Sequence, residues 1–197
     1  MGLPHRSLRF ASAIVLTATL LGGAADSLTT LAAFEPAESC VPEETFAAPV
    51  RDPAEPILVR YLSRRFLIAT AATEQMVEAA FRAAREVGLD PFVVLAVISV
   101  ESRFNPIAES VMGAKGLMQI IPKFHQAKLA ARGGEAAIWD PEANIAIGAR
   151  ILQEYVYRTG TLEAGLQFYN GAFADGSAQY AQKVLAERGR LLAALGG

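Results

Sequence analysis

An apolar run that ends on an acidic residue is the feature that most constrains how this chain can fold. Residues 94–100 read V-L-A-V-I-S-V, and Glu101 follows directly. The pair Asp90-Pro91 stands just before the run, and an N-cap acid followed by proline in the first helical turn is a helix start signal. The pattern predicts a buried helix that carries a carboxyl group at its C-terminal end.

The same kind of start and stop signal recurs along the chain and predicts further helices. They are bounded by Thr73 and Gly88, by Asp140-Pro141 and Gly160, by Thr161 and Tyr169, and by Ser177 and Leu195. A short helix is also expected over residues 57–66, and a loop-rich segment over residues 104–116. Alternating strand patterns are scarce. We therefore expect an all-α fold, a small helical domain with a loop-rich cleft.

The N-terminal residues have the pattern of an export signal. Arg6 and Arg9 precede an apolar stretch that ends in small residues, and no acid lies among them. A basic start, a short apolar core and a small-residue exit are typical of a secretory signal peptide. The expectation is a signal over residues 1–25, cleaved before Asp26, and a mature protein in the periplasm or cell envelope; an uncleaved anchor is the alternative. Cys40 lies too far downstream to mark a lipoprotein.

Residues 26–56 are rich in proline and acidic residues, which predicts a poorly ordered linker. Residues 57–197 then form the expected single domain. The chain is 52% hydrophobic, enough to bury a sizeable core, and its formal charge of -2 does not suggest a nucleic-acid partner. With two histidines and one cysteine, no metal-ligand pattern and no cofactor are indicated.

The position of Glu101 predicts unusual acid–base behaviour. Burial disfavours the charged form of a carboxyl group, and the carbonyl end of a helix repels a negative charge, so both raise its pKa. An acid that stays protonated near neutral pH can give a proton to a leaving oxygen. The plainer interpretation is an acid that pairs with Arg103 or caps a loop.

Four motifs favour the catalytic interpretation. They are "ESRFNP" at 101–106, "GAKGLMQIIP" at 113–122, "DPEANIAIG" at 140–148 and "FYNGA" at 168–172. Together, in this order, they resemble the lytic transglycosylases with a lysozyme-like domain, over roughly residues 89–180. The fourth motif departs from the family pattern Tyr-Asn-x-Gly, because Gly171 follows Asn170 directly.

The resemblance implies a role for each matching residue. Glu101 would be the single catalytic acid and base, with Ser110 hydrogen-bonded to it and Tyr169 holding its proton. The sugar cleft would be lined by Gly116, Leu117, Met118, Gln119 and Asn170, while Asn144 would be mostly structural. Leu117 and Met118 could equally be core residues, and Tyr169 could be a packing aromatic.

The resemblance also accounts for a single carboxylate where most glycosidases use two. Glu101 would first protonate the glycosidic oxygen between MurNAc and GlcNAc. It would then take the proton from the C6 hydroxyl of the MurNAc residue while the oxygen of that hydroxyl attacks C1 of the same residue. The product would be a 1,6-anhydroMurNAc end. Of the other acids, Glu154 is the one rival worth testing.

Other functions remain open at this point. A goose-type muramidase would share the fold and the acid but would use water, and a wall-binding protein would keep the cleft without catalysis. The expected partner is the peptidoglycan glycan strand, met by a monomer. A role in a secretion or division machine would leave the chemistry unchanged.

Overall fold

The computed structural model describes residues 51–172 and 174–196, and within them the regular structure is helical. The α-helices are α1 (Ala54–Phe66), α2 (Thr70–Val87), α3 (Pro91–Glu101), α4 (Gln126–Ala130), α5 (Pro141–Thr159), α6 (Leu162–Tyr169) and α7 (Gln179–Ala193). Two short 3₁₀ helices, Pro122–Phe124 and Glu135–Trp139, flank α4. The all-α expectation is confirmed. The predicted signal peptide and residues 26–50 of the predicted linker lie outside the described residues.

Most predicted helix ends are set by the residues that predicted them. The Asp90 and Asp140 carboxylates accept hydrogen bonds from the main-chain N–H groups of Phe92 and Ala143, at 2.8 and 2.7 Å. Thr161 caps α6 in the same way. Gly88 and Gly160 end α2 and α5 in the left-handed conformation. Local hydrogen bonding at the caps therefore fixes these boundaries.

Two of the predicted caps were wrong. Thr73 lies inside α2, where its hydroxyl donates to the carbonyl of Ala69 at 3.1 Å. Ser177 precedes the start of α7, and its hydroxyl donates to the Asp175 carboxylate at 2.6 Å. Both side chains find another local acceptor, a common outcome for serine and threonine.

The last part of the predicted linker belongs to the helical domain. α1 begins at Ala54, three residues before the expected start, with Pro53 at its N-cap. Proline suits the first turn of a helix, because the N–H groups there have no partner within the helix. Arg51 also pairs with Glu74 of α2, at 2.5 Å. Pro53 is thus part of the proline-rich composition that indicates a linker, but in the structure it stands at the start of a helix.

Helix α3 lies at the centre of the core. Its residues 93–99 are all buried, so it has no polar face over this stretch, and it packs against both α2 and α7. α5 packs against α2 and α6, and α1 covers α2. A helix that is apolar on every side needs neighbours all round, and this arrangement holds Glu101 on a rigid support.

Candidate active site

Glu101 is the last residue of α3, at the edge of the core. The Tyr180 hydroxyl donates a hydrogen bond to Glu101 Oε1 at 2.5 Å. Burial raises the pKa of Glu101, while the hydrogen bond from Tyr180 and the charge of Lys183 lower it, and the net direction is upward. The environment therefore favours the protonated acid but also provides contacts that stabilise the carboxylate.

Tyr180 is a site residue that the sequence analysis missed. It lies in the first turn of α7 with an exposed fraction of 9%, and burial followed by the charge of Glu101 raises its phenol pKa well above the ordinary value. The phenol therefore stays neutral and donates. No local signal connects Tyr180 with Glu101, because the contact depends on how α7 packs on α3.

Two contacts fix the position of α7 over α3. The Gln167 side chain accepts a hydrogen bond from the main-chain N–H of Ala181 at 2.9 Å, which holds the first turn of α7. Further along, Arg188 Nε donates to Asp90 Oδ2 at 2.5 Å. Asp90 thus caps α3 and also binds the helix that carries Tyr180.

Tyr169 lies near Glu101 but holds a different group. Its hydroxyl donates to the main-chain carbonyl of Met118 at 2.7 Å. Burial, followed by the charge of Glu101, raises the pKa of Tyr169 well above the ordinary value. Tyr169 is thus near enough to Glu101 to be affected by its charge. The tyrosine that hydrogen-bonds the Glu101 carboxyl group, however, is Tyr180.

Ser110 has a local partner. Its hydroxyl accepts a hydrogen bond from the main-chain N–H of Ala114 at 3.1 Å, and its main-chain N–H donates to the carbonyl of Ala114 at 2.9 Å. Among the described residues no hydrogen bond joins Ser110 to Glu101. In this structure the side chain closes the turn over residues 110–114.

Leu117 and Met118 lie in the core, with fully buried side chains. A Cβ atom at Gly148 of α5 would lie 2.5 Å from the sulfur of Met118, which shows how closely α5 packs on this segment. The structure does not support the predicted sugar contacts through these two side chains. The apolar pattern at these positions reflects packing.

Gly116 and Asn144 together hold this segment in place. Asn144 is buried; it accepts from the main-chain N–H of Met118 at 2.8 Å and donates to the carbonyl of Ile138 at 2.8 Å. Gly116 has a φ of 77°, and a Cβ atom there would lie 2.1 Å from Asn144 Nδ2. Glycine is required at this position both by the backbone conformation and by the close approach of Asn144.

Gln119 and Asn170 line one cavity, as the sequence predicts for cleft residues. The cavity has a volume of about 210 Å³, and Tyr169 and the exposed Phe124 also line it. The Gln119 amide donates to the carbonyls of Ala108 and Gly116, each at 3.1 Å. Its side-chain oxygen makes no hydrogen bond among the described residues and remains available to a ligand.

Glu154, the rival acid, and four further acids of the helical domain are engaged elsewhere. Glu109, Glu142 and Glu154 pair with Lys115, Arg82 and Lys128, Asp140 caps α5, and Asp175 binds Ser177. Within residues 51–172 and 174–196, no group of three or more His, Cys, Asp or Glu side chains could hold a metal ion. Glu101 is therefore the acid best placed for proton transfer.

The segment that carries this geometry matches a known family. The family described as the transglycosylase SLT domain covers residues 78–188, from α2 through most of α7. The chain belongs to this family. Glu101, Tyr169 and Tyr180 all lie within the matched segment, which agrees with the resemblance drawn from the four motifs.

Curated relatives match part of this chain. The transglycosylase of Enterobacteria phage PRD1 is 36% identical over 89 residues, which is 45% of this chain and 32% of the relative. Membrane-bound lytic murein transglycosylase C of Mannheimia succiniciproducens is 38% identical over 79 residues, or 36% of this chain and 22% of the relative. The aligned part is therefore a third or less of either relative.

A solved structure supports the family fold. The lytic transglycosylase Slt of Pseudomonas aeruginosa, in an inactive variant, has a TM-score of 0.52 at 22% identity. The match covers 59% of this chain and 24% of that one. It confirms the expected lysozyme-like transglycosylase fold. None of the helices in the described part of this chain is long and apolar enough to cross a membrane.

Proposed function

We propose that this protein is a peptidoglycan lytic transglycosylase that cleaves the MurNAc-GlcNAc β-1,4 bond and leaves a 1,6-anhydroMurNAc end. The observation that carries the proposal is Glu101, a carboxyl group with a raised pKa that accepts a hydrogen bond from Tyr180. It lies within the segment that matches the transglycosylase family.

In the first step Glu101 acts as the acid. Its proton passes to the glycosidic oxygen, the C1–O bond breaks, and the GlcNAc leaving group departs with a hydroxyl. The N-acetyl oxygen of the MurNAc residue stabilises the electron-poor C1. The raised pKa of Glu101 suits this step, because the carboxyl group must stay protonated until the C1–O bond breaks.

In the second step the Glu101 carboxylate acts as the base. It takes the proton from the C6 hydroxyl of the same MurNAc residue while that oxygen bonds to C1. This closes the 1,6-anhydro ring, returns Glu101 to its protonated form and consumes no water. Tyr180 and Lys183 stabilise the carboxylate between the two steps, since both lower the pKa of Glu101.

We assign the glycan contacts to the cavity beside Tyr169. The free side-chain oxygen of Gln119 and the Asn170 amide can bind hydroxyl or acetamide groups, and the Gly116 turn positions Gln119. Tyr169 supports the same wall through the Met118 carbonyl. The hydrogen bond expected between Ser110 and Glu101 is replaced here by bonds to Ala114, so we propose that Ser110 acts on the site through the fold of the loop over residues 110–114.

We further propose that the protein acts in the periplasm or cell envelope, because its substrate lies there. The basic and apolar pattern of residues 1–25 supports export. N-terminal sequencing of the exported protein should find a start near Asp26; an intact Met1 on a cytoplasmic protein would contradict export.

The decisive experiment is mass spectrometry of peptidoglycan digested by the purified protein. The transglycosylase should release muropeptides with anhydro ends, each lighter by one water than the product of a muramidase. Glu101→Gln should lower this release by about 10²- to 10⁴-fold, because the variant has no proton to transfer. Glu154→Gln, whose parent carboxylate pairs with Lys128 at 2.7 Å, is the matched control and should keep most activity.

Each other outcome identifies a different protein. Hydrolysed, reducing ends would indicate a muramidase, and glycan binding without any release would indicate a wall-binding protein. A folded Glu154→Gln variant as inactive as Glu101→Gln would favour a two-carboxylate hydrolase.

Thermal melting of Glu101→Gln provides a test of the burial of Glu101. The raised pKa means that the folded protein binds the Glu101 proton more tightly than the unfolded chain. Wild-type stability should therefore fall as pH rises from the ordinary glutamate pKa through the folded pKa. The glutamine variant lacks this loss, so its Tm relative to the wild type should be higher at pH 7 than at pH 4.

A further inference from the structure

A second cavity lies beside Glu101, between the C-terminal end of α1, the C-terminal end of α3 and α7. Its volume is about 500 Å³. Four basic side chains line it, namely Arg65, Arg103, Lys183 and Arg190, and its one acid is Glu187. We call this cavity the basic pocket. Of its lining residues, the proposed chemistry at Glu101 uses Lys183 alone.

The basic pocket has more positive charge than its own acid can neutralise. Glu187 is buried, with 4% of its side chain exposed, and both of its oxygens bind Arg65, at 2.6 and 2.9 Å. Arg190 shares one of these oxygens at 2.5 Å. Arg103 and Lys183 are exposed and form no ion pair among the described residues. The pocket thus has three basic groups in excess, in a chain whose formal charge is -2.

The basic pocket is next to the reacting carboxyl group. Arg103 follows Glu101 by two residues, and Lys183 lies one turn after Tyr180 on α7. Lys183 is close enough to influence the charge of Glu101. Lys183, and with it this side of the basic pocket, therefore lies near any ligand that binds at Glu101.

A contact between two aromatic rings fixes the turn that carries Arg103 at the edge of the basic pocket. Arg103 and Phe104 both have left-handed backbone, with φ of 55° and 63°. Phe104 is buried against Phe66, with ring centroids 5.3 Å apart. Burial of Phe104 fixes the sharp turn after α3, and the turn keeps the Arg103 main chain at the edge of the pocket.

We propose that the basic pocket binds a carboxylate of the peptide attached to the muramoyl residue, so that the enzyme selects glycan strands with charged peptides. This inference rests on the proposed function, because it names a further part of the same substrate. The sugar rings and acetamide groups of the strand are uncharged, and its carboxylates lie on the peptide substituents. Guanidinium and ammonium groups that lack a partner bind carboxylates by charged hydrogen bonds.

The test measures binding by the uncleaving Glu101→Gln variant. The two ligands are purified peptidoglycan strands and the same strands after their peptide carboxylates have been converted to amides. Loss of charged hydrogen bonds should weaken binding of the amidated strands by about tenfold. Since Glu101 is already replaced, any effect of Lys183 on its pKa cannot contribute.

Substitutions in the basic pocket show whether the preference for charged strands arises there. Adding Arg103→Gln and Lys183→Gln should weaken binding of the native strands by the same factor and leave binding of the amidated strands unchanged. Arg60→Gln with Arg85→Gln is the matched control, since both arginines are exposed and lie outside the lining of the basic pocket, and the change in net charge is equal. Both pairs should melt like the parent variant.

The inference is wrong if native and amidated strands bind equally, if neither strand binds, or if the control pair weakens binding as much as the pocket pair. The last result would indicate a general charge effect. Failure of the proposed function looks different: the wild type would release no anhydro ends, whatever the preference for charged strands.

Discussion

At the scale of single residues, Glu101 has to serve as acid and as base, and its neighbours pull its pKa in opposite directions. Burial favours the proton, while the Tyr180 hydroxyl and Lys183 favour the carboxylate. Tyr169, whose pKa is also affected by Glu101, donates to the Met118 carbonyl instead. The two tyrosines therefore differ in function, although both are buried near the same acid.

Replacing each tyrosine by phenylalanine separates these roles. Tyr180→Phe removes a hydrogen bond to a charged group, so turnover should fall by about 10- to 100-fold. The pKa of Glu101 should rise further, and because the reaction starts from the protonated acid, the alkaline limb of the pH–rate profile should move to higher pH.

Tyr169→Phe is the comparison. It removes the donor to Met118 and should lower the free energy of unfolding by about 1–3 kcal/mol, with little shift of the alkaline limb. A pH–rate profile that moves with Tyr169→Phe but not with Tyr180→Phe would reverse the assignment.

At the scale of elements, the segment between α3 and the first 3₁₀ helix contains no helix or strand, and its conformation is held by a few specific contacts. Two isolated β-bridges, Glu109 with Lys115 and Lys115 with Ile120, fold it back on itself. Asn144 of α5 binds it from beneath. The cleft wall therefore depends on one buried amide and on the glycine that lets it approach.

Two glycines of this segment provide a matched pair for stability measurements. Gly113 and Gly116 have nearly equal φ, 78° and 77°, but a Cβ atom has open space at Gly113 and meets Asn144 at Gly116. Gly113→Ala should lower the unfolding free energy by about 1–2 kcal/mol from backbone strain alone.

Gly116→Ala adds overpacking to the same strain and should lower the unfolding free energy by about 2–5 kcal/mol. Urea unfolding of both variants measures the difference. Equal losses would mean that Asn144 moves aside freely and does not hold the loop.

At the scale of the whole molecule, the helical domain begins before the position that composition suggests. Arg51 pairs with Glu74, and Glu55 is buried at the start of α1, where its carboxylate accepts from the main-chain N–H of Asp52 at 3.2 Å. These contacts anchor the first turn of α1 on α2. We therefore expect residues 51–56 to contribute to the stability of the domain.

Two shortened chains test this boundary. A chain starting at Arg51 should melt within about 1 °C of one starting at Asp26 and should release anhydro ends at a similar rate. A chain starting at Ile57 loses the first turn of α1 and its contacts, and should melt about 2–4 °C lower, the shift expected for roughly 1 kcal/mol in a domain of about 150 residues. Equal melting temperatures of the two shortened chains would mean that residues 51–56 do not stabilise the domain and belong to the linker.

The sequence by itself determined the local features of this protein. Caps such as Asp90, Asp140 and Thr161, and stops such as Gly88 and Gly160, act through hydrogen bonds within a few residues, so they can be recognised without the fold. The same holds for the apolar run before Glu101, which predicts a buried helix ending on an acid. The four motifs then indicated the family that residues 78–188 match.

Only the tertiary structure decided which side chains meet. Tyr180 reaches Glu101 across 79 residues of sequence because α7 packs on α3, and no local pattern encodes that pairing. Leu117 and Met118 belong to a motif that the family resemblance assigns to the cleft, yet both are fully buried, and Met118 packs against Gly148 of α5. An apolar residue beside a site and one in the core have the same sequence signature. The basic pocket likewise exists only once α1, α3 and α7 bring together residues as far apart as Arg65 and Arg190.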